Sequence, residues 1–444
     1  MSINRELMLS QLQSLPEAQL SELIFLFRLD GVIATKASQT DRAIELIKAV
    51  ESRGPKECTR LTDRVQTYCT AESPPQLGLM LTLPKRCWSP ANSPPAALLR
   101  AEFGVVPFTG RVSEITALRH WIDTAASIAL GLLTGPGGRG KTRLAIEAAT
   151  LASTQGWTTG FSSASALVTL VDHLPDNMRV LVVIDYAEED PSALMRALRS
   201  ASARFSATTG SLRILLLARN AGEWFQQLQE SRDLRDFFYP QRDFLRIRLT
   251  ELAQNSDDGN SLFALARTAF REKLEISTHG SAQYMTTTAR DALIIFTQAL
   301  LVELGADLAT DSNTRKSTYD PSDECDESVV LDYLLARESG FWHRALARHG
   351  LAESHWRLFE VLVAAVAYAG GTRNPTETEQ LFRNYARKFE IDALIIEVYR
   401  LVLTATYGVD LGIESLQPDR LGERLMSRHA ASEIIEIASF RATI

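Results

Sequence analysis

The spacing of apolar and polar positions changes along this chain, from helical to strand-and-helix and back to helical. Near the start, Leu20, Leu23, Ile24 and Phe27 fall at i, i+3, i+4 and i+7, the spacing that gathers apolar side chains on one helix face. Ser14-Leu-Pro-Glu17 offers an N-cap, a first-turn proline and a capping-box glutamate just before it. Ala43, Leu46, Ile47 and Val50 repeat the spacing in a later helix that stops at Gly54. These elements predict a small helical bundle over residues 1–69, with only a small core of its own. Residues 70–97 lose the helical period and carry Pro74, Pro75, Pro84, Pro90, Pro94 and Pro95, so they predict a partly extended linker.

From residue 98 to about 250, short apolar runs alternate with helical patterns. Strands are expected at 128–134, 157–161, 180–185, 212–218 and 243–249. Strands spaced by helices imply a parallel sheet covered on both faces. Beyond 250 the pattern turns helical, with helices expected at Leu262–Lys273, Ala289–Leu304, Val329–His349 and His355–Ala369. Asp307–Ser328 is polar and predicts an exposed loop, and Gly408–Ile413 predicts a short strand or turn among further helices. No repeat of 34 or 40 residues is visible. The fold class expected is multidomain α and α/β: a helical bundle, a parallel sheet with helices on both faces, then helical and winged-helix-like parts.

Composition narrows the function classes. The net charge of −7 argues against a broad nucleic-acid surface. The four cysteines (Cys58, Cys69, Cys87 and Cys325) have no C-x-x-C spacing, which argues against zinc or a disulfide framework and suits a reducing cytoplasm. Met-Ser-Ile-Asn-Arg-Glu leads into no signal-like apolar core, and Val361–Ala369 is too short to span a bilayer.

One octapeptide carries chemistry. Gly135-Pro-Gly-Gly-Arg-Gly-Lys-Thr142 fits G-x-x-x-x-G-K-[ST], the phosphate-binding P-loop. Gly135, Gly137, Gly138 and Gly140 let the backbone N–H groups around Arg139 curl toward a phosphate chain. Lys141 is placed to reach the β- and γ-phosphates, and the Thr142 hydroxyl to hold Mg²⁺. An apolar strand precedes the loop and a helix-forming run follows it, so the motif stands in the setting that gives it meaning. Val180-Leu-Val-Val-Ile-Asp185 ends in the carboxylate expected to hold Mg²⁺ through a water. Glu188 and Glu189 follow; position favours Glu188 to polarise an attacking water. A further strand ends in Arg219, placed to bring fixed positive charge to the γ-phosphate.

With these residues in view, the chain resembles the STAND class of P-loop NTPases, relatives of NACHT and NB-ARC proteins. Val105-Val-Pro-Phe-Thr-Gly110-Arg111 resembles the Gly-Arg motif that opens the nucleotide domain and flanks the adenine. Asp185-Tyr-Ala-Glu188 and Leu215–Trp224 are similar to the acidic-strand and sensor segments of a bacterial clade. Leu416–Leu425 is similar to the segment that closes that clade's winged helix. The N-terminal bundle resembles bacterial effector-associated domains of death-like fold. The likeness divides the chain into an adaptor (1–69), a linker (70–97), an NTPase domain (98–250), a helical lid (251–325) and a winged-helix-like domain (326–444). It departs from the related eukaryotic-type proteins where a His-Asp pair grips the ADP β-phosphate, because Pro418-Asp419 stands there and His429 lies apart. No Gly-Leu-Pro-type adenine contact is evident around Ala292–Leu301. Members usually carry a repeat array as sensor, so any sensor here is minimal or lies outside this stretch.

The resemblance implies a switch operated by ATP, ADP and Mg²⁺. ADP keeps it closed; ATP opens it, protomers self-associate, and the N-terminal domains recruit an effector protein with a matching helical adaptor. It implies bacterial antiphage defence or programmed cell death, with no membrane, and slow ATP hydrolysis that resets the switch. Two readings stay beside it: a STAND-type transcription regulator on DNA, hinted at by Arg424 and Arg428, and a scaffold that binds nucleotide without hydrolysing it.

Overall fold

The computed structural model describes residues 8–9, 12, 20, 23–24, 27, 29, 39–54, 57–58, 60–62, 81–84, 88, 93–175, 177–205, 209–238, 243–276, 286–308, 326–409 and 412–439. Its contacts divide the chain into Met1–Thr82 and Leu83–Ile444. The expected cap at Ser14–Glu17, most of the 70–97 linker and most of the 307–328 loop lie outside the described residues.

In the first unit, helix α1 (Gln39–Ser52) buries Ala43, Leu46, Ile47 and Val50. They share a core with Leu20, Leu23, Ile24 and Phe27, the earlier apolar stripe. Both periodic faces therefore point inward and meet.

The second unit is built on a parallel sheet of β1 (Ile128–Thr134), β2 (Thr158–Phe161), β3 (Arg179–Ile184), β4 (Ser211–Ala218) and β5 (Leu245–Arg248), in the order β2-β3-β4-β1-β5. The central strands are continuous apolar runs because both faces are covered. Leu118, Trp121 and Ile122 of α2 (Val112–Ile122) and Leu144, Ala145 and Ala148 of α3 (Lys141–Thr154) pack on one face, against Ala129, Leu133, Leu181, Val183, Leu215 and Leu217. The alternate strand residues face α4 (Ala164–His173), α5 (Pro191–Phe205), α6 (Glu223–Glu230) and α7 (Arg235–Phe238), and Leu130, Leu132, Val182 and Ile214 have no exposed surface. Arg213 is the exception on an apolar strand. Its guanidinium is buried at the end of α2 and donates to the carbonyls of Ile122 (3.1 Å) and Thr124 (2.6 Å).

Among the described residues eight helices follow: α8 (Ser256–Lys273), α9 (Ala292–Leu308), α10 (Glu327–Arg348), α11 (Trp356–Ala369), α12 (Pro375–Phe389), α13 (Ala393–Tyr407), α14 (Asp419–Met426) and α15 (Ala431–Ala438). Their buried residues form one continuous cluster. Between α13 and α14 lies a hairpin of β6 (Gly408–Val409) and β7 (Gly412–Ile413), and Thr372, before α12, bridges to Ile413. The order helix, bridge, helix, helix, hairpin over α11 to β7 is a winged-helix arrangement. Among the described residues no helix is long and apolar enough to cross a membrane.

Candidate functional site

All five strands run the same way, so their carboxyl ends share one edge. Parallel sheets place ligands at that edge. The strand order puts β4 between β1 and β3. Residues leaving β1 (Gly135), β3 (Asp185) and β4 (Arg219) therefore emerge side by side. The Gly135 N–H donates to the Ala218 carbonyl (3.3 Å) and the Ala187 N–H to the Leu217 carbonyl (3.0 Å), which fixes the three exits.

Gly138 and Gly140 adopt left-handed backbone, with φ of 81° and 85°, and α3 begins at Lys141. A β-carbon on Gly138 would lie 2.8 Å from Cβ of Leu293 on α9. The loop therefore needs glycine there both for its turn and for its fit under α9. The Lys141 ammonium donates to the carbonyls of Gly135 (2.7 Å) and Pro136 (3.1 Å). Burial lowers its pKa, while Asp185, Asp419 and Glu188 oppose that shift.

The Thr142 hydroxyl donates to Asp185 Oδ2 at 2.8 Å, bringing together the two groups expected to share Mg²⁺. Asp185 Oδ1 accepts the Tyr186 N–H at 3.0 Å. Burial pushes the Asp185 carboxyl up to about 6, against the hydrogen bonds from Thr142 and Tyr186 and the charge of Lys141. A carboxylate so poorly compensated is suited to a cation. Glu188 Oε1 accepts the Arg219 N–H at 2.8 Å, and Oε2 is shielded from solvent without a hydrogen-bond partner. This donor set fits a hydrated magnesium ion. Thr142 and Asp185 would hold it, and it would supply charge neutralisation at the phosphates. Glu188 would orient a water through its unpaired oxygen.

This is a P-loop NTPase fold. The loop, the acidic strand end and the strand order that joins them are all present in one sheet. The edge opens into a cavity of about 1070 Å³, just above the usual range for small-molecule sites. Gly137, Gly138, Arg139 and Gly140 form its floor, and Val105, Val106, Phe108, Leu252, Leu293 and Phe296 give it an apolar wall. Gly110 and Arg111 have left-handed backbone, with φ of 69° and 56°. The turn aims the Arg111 guanidinium at the carbonyls of Thr250 (2.6 Å) and Arg139 (3.4 Å) and at Glu114 (2.9 Å). The Gly-Arg pair thus ties the chain after β5 to the P-loop.

Asp419 stands where the resemblance placed it, facing the loop from the C-terminal part, but its partners there were not foreseen. Asp419, at the start of α14, accepts the Tyr186 hydroxyl (2.7 Å), the Gln417 amide (2.8 Å) and the Arg219 guanidinium (3.2 Å). Arg219 also pairs with Glu423 at 2.7 Å. Tyr186 and Arg219 follow the ends of β3 and β4, so one carboxylate of α14 is tied to two strand ends of the nucleotide edge. The stem of Arg420 crosses Gly137, where an added β-carbon would meet Cγ at 3.4 Å. Tyr186, Arg420 and Glu423 lie in segments that carry the resemblance, but their contacts had no local signal, because their partners lie far away in sequence. Glu189, the alternative to Glu188, faces Arg373 at 3.9 Å across exposed surface.

No protein-family model matches the chain, and no curated protein matches it. Solved structures similar to it include the Orc1 protein of Aeropyrum pernix in complex with DNA, at 13% identity, covering 74% of this chain and 96% of that one, with a TM-score of 0.32. Cdc6p from Pyrobaculum aerophilum matches at 14% identity over 74% of this chain and 88% of that one, with a TM-score of 0.33. NtrX from Brucella abortus in complex with ADP matches at 13% identity over 77% of this chain and 82% of that one, with a TM-score of 0.33. The fold assignment rests on the chain's own geometry.

Proposed function

We propose that this chain is a nucleotide-operated signalling switch of STAND type. ADP or ATP occupies the cavity, with its phosphates on Gly137–Thr142 and Mg²⁺ held by Thr142 and Asp185. The observation that carries the reading is Asp419, which reaches from α14 to Tyr186 and Arg219 beside the P-loop. A γ-phosphate placed at the ends of β1, β3 and β4 competes with Asp419 for Arg219, whereas ADP lacks that phosphate. Only a ligand with different affinities for two states can shift them, and this competition supplies the difference. ATP therefore frees α14 and the winged-helix part, and the opened protomers self-associate. The N-terminal helical unit then recruits an effector with a matching helical domain by local concentration. Bacterial antiphage defence or programmed cell death, in the cytoplasm, is the setting that fits such a device. Hydrolysis, assisted by Glu188, resets it slowly.

The winged-helix order favours one rival, a regulator that reads DNA. In that arrangement α13 is the helix offered to the groove. Its exposed positions include Leu394 and Leu401, and its one basic residue, Arg400, is paired with Glu379 (2.8 Å) and Glu397 (3.4 Å). Arg424 and Arg428 of the following segment are both engaged by Asp332, each at 2.6 Å. Phosphate contacts need free cations, so this surface supports the switch reading better.

Nucleotide titration of wild type and Lys141→Ala tests the proposal. Wild type binds ADP and ATP and the variant binds neither; equal affinities would remove the site. Glu188→Gln keeps ATP binding and loses phosphate release, which separates a working ATPase from a passive scaffold.

A further inference from the structure

A second set of charges joins the same parts through Asp291, the residue just before α9. Its Oδ1 accepts the Leu293 N–H at 2.9 Å, the hydrogen bond of an N-cap. Its Oδ2 points elsewhere, lying 3.3 Å from Nη1 of Arg139 and 3.5 Å from Nη1 of Arg420. Arg139 belongs to the P-loop, and Arg420 to the first turn of α14, where it also pairs with Glu327 at the start of α10. One carboxylate thus holds an arginine from the phosphate loop and an arginine from the helix that covers it.

The two arginines are not equally satisfied. Arg139 lines the cavity, yet its Nε and Nη1 are shielded from solvent and have no hydrogen-bond acceptor. Its contacts to Asp291 (3.3 Å) and Glu251 (3.6 Å) are long beside the 2.7–2.9 Å of a charge-assisted hydrogen bond. Shielded donors without acceptors are costly. A phosphate in the loop would supply the missing acceptor and a stronger counter-charge than Asp291 gives. Asp291 keeps its cap and Arg420 in that exchange and loses only Arg139.

Resting on the nucleotide-switch reading, we propose that Asp291 is a positioning residue whose charge competes with bound phosphate for Arg139, lowering nucleotide affinity and tying phosphate occupancy to the seating of α9 and α14 on the P-loop. It touches no nucleotide itself and works through the two arginines.

Asp291→Asn is a clean test, because asparagine caps helices as well as aspartate does while carrying no charge. Wild type, Asp291→Asn, Arg139→Gln and the double variant are titrated with ADP by isothermal calorimetry at low and high salt, beside Lys141→Ala and with melting temperatures recorded. The single Asp291→Asn change is expected to tighten ADP binding by roughly fivefold or more, within the usual size of site-to-site coupling, with the gain shrinking in high salt. In the Arg139→Gln background the same change should have no effect on affinity. Unchanged or weaker ADP binding by a normally melting Asp291→Asn variant would overturn the proposal, as would the same gain with and without Arg139. If Asp291→Asn fails to fold, comparing Arg420→Gln with wild type decides. Freeing Asp291 from Arg420 strengthens its hold on Arg139 and weakens ADP binding; no change overturns the proposal. Wild type that binds no nucleotide, or binds it as well as Lys141→Ala does, would overturn the nucleotide reading itself. A failure confined to Asp291 leaves that reading standing.

Discussion

Removing the Tyr186 hydroxyl should loosen the hold of α14 on the nucleotide edge. In Tyr186→Phe the ring stays and the 2.7 Å hydrogen bond to Asp419 is lost. A hydrogen bond to a charged acceptor contributes about 1.5–3 kcal/mol. The low end applies, because Gln417 still donates to Asp419 at 2.8 Å. A loss of about 1.5–2 kcal/mol shifts the closed-to-open ratio by roughly 10–30-fold. Glu423→Gln gives the contrast. Glu423 pairs with Arg219 at 2.7 Å, but both side chains are nearly half exposed, at 48% and 45%. Such pairs contribute at most about 1 kcal/mol, so the change stays below roughly fivefold. Stopped-flow release of a fluorescent ADP analogue reads both. The account expects release to quicken about 10–30-fold in Tyr186→Phe and less than fivefold in Glu423→Gln, with similar melting temperatures. Release unchanged in Tyr186→Phe, or faster in Glu423→Gln than in Tyr186→Phe, would refute the argument that the shielded contact to Asp419 holds the closed form.

Further expectations concern stability. Burial raises the Glu338 carboxyl to about 7, against the Ala96 N–H (2.5 Å) and the Tyr407 hydroxyl (3.3 Å) that it accepts. The unfolded chain ionises near 4.5 while the folded chain keeps its proton to about 7, so stability falls as pH rises through that window. The loss approaches about 3 kcal/mol at pH 7 and then levels off. Glu338→Gln should therefore gain melting temperature over wild type at pH 8 and not at pH 4.5; a gain independent of pH would contradict this. Gly138→Ala forces a β-carbon to 2.8 Å from Leu293 in left-handed backbone. It should cost about 1–3 kcal/mol in thermal unfolding and weaken nucleotide binding; a silent variant would show that α9 does not seat on the loop.

The sheet and the phosphate loop were legible in the sequence because their determinants are local. A central parallel strand is an apolar run, and β1 to β5 each lie within two residues of the runs that predicted them. The P-loop is eight consecutive residues, and Asp185 follows the apolar run of β3 directly. The Asp419 contacts were not legible. Tyr186 reads locally as one more residue after a strand, and its partner lies 233 positions away. Arg219 is expected to meet phosphate, but nothing local in the sequence showed that its guanidinium also pairs with Asp419 and Glu423. The absence of histidine beside Asp419 left the closing contact in doubt, although the carboxylate makes one through Tyr186. Helix bounds shifted where caps lay beyond the periodic residues. Asn255 caps α8 through the Asp258 N–H, so that helix begins at Ser256, six residues ahead of its first expected position, Leu262.

In a nucleotide switch of this kind, the third phosphate changes the state of the protein. Mass photometry of the full chain in Mg²⁺ with ADP, and then with a non-hydrolysable ATP analogue, reads that change. The account predicts single protomers with ADP, a larger assembly with the ATP analogue, and single protomers in both for Lys141→Ala. The same mass distribution with either nucleotide, or assembly by Lys141→Ala, would contradict it.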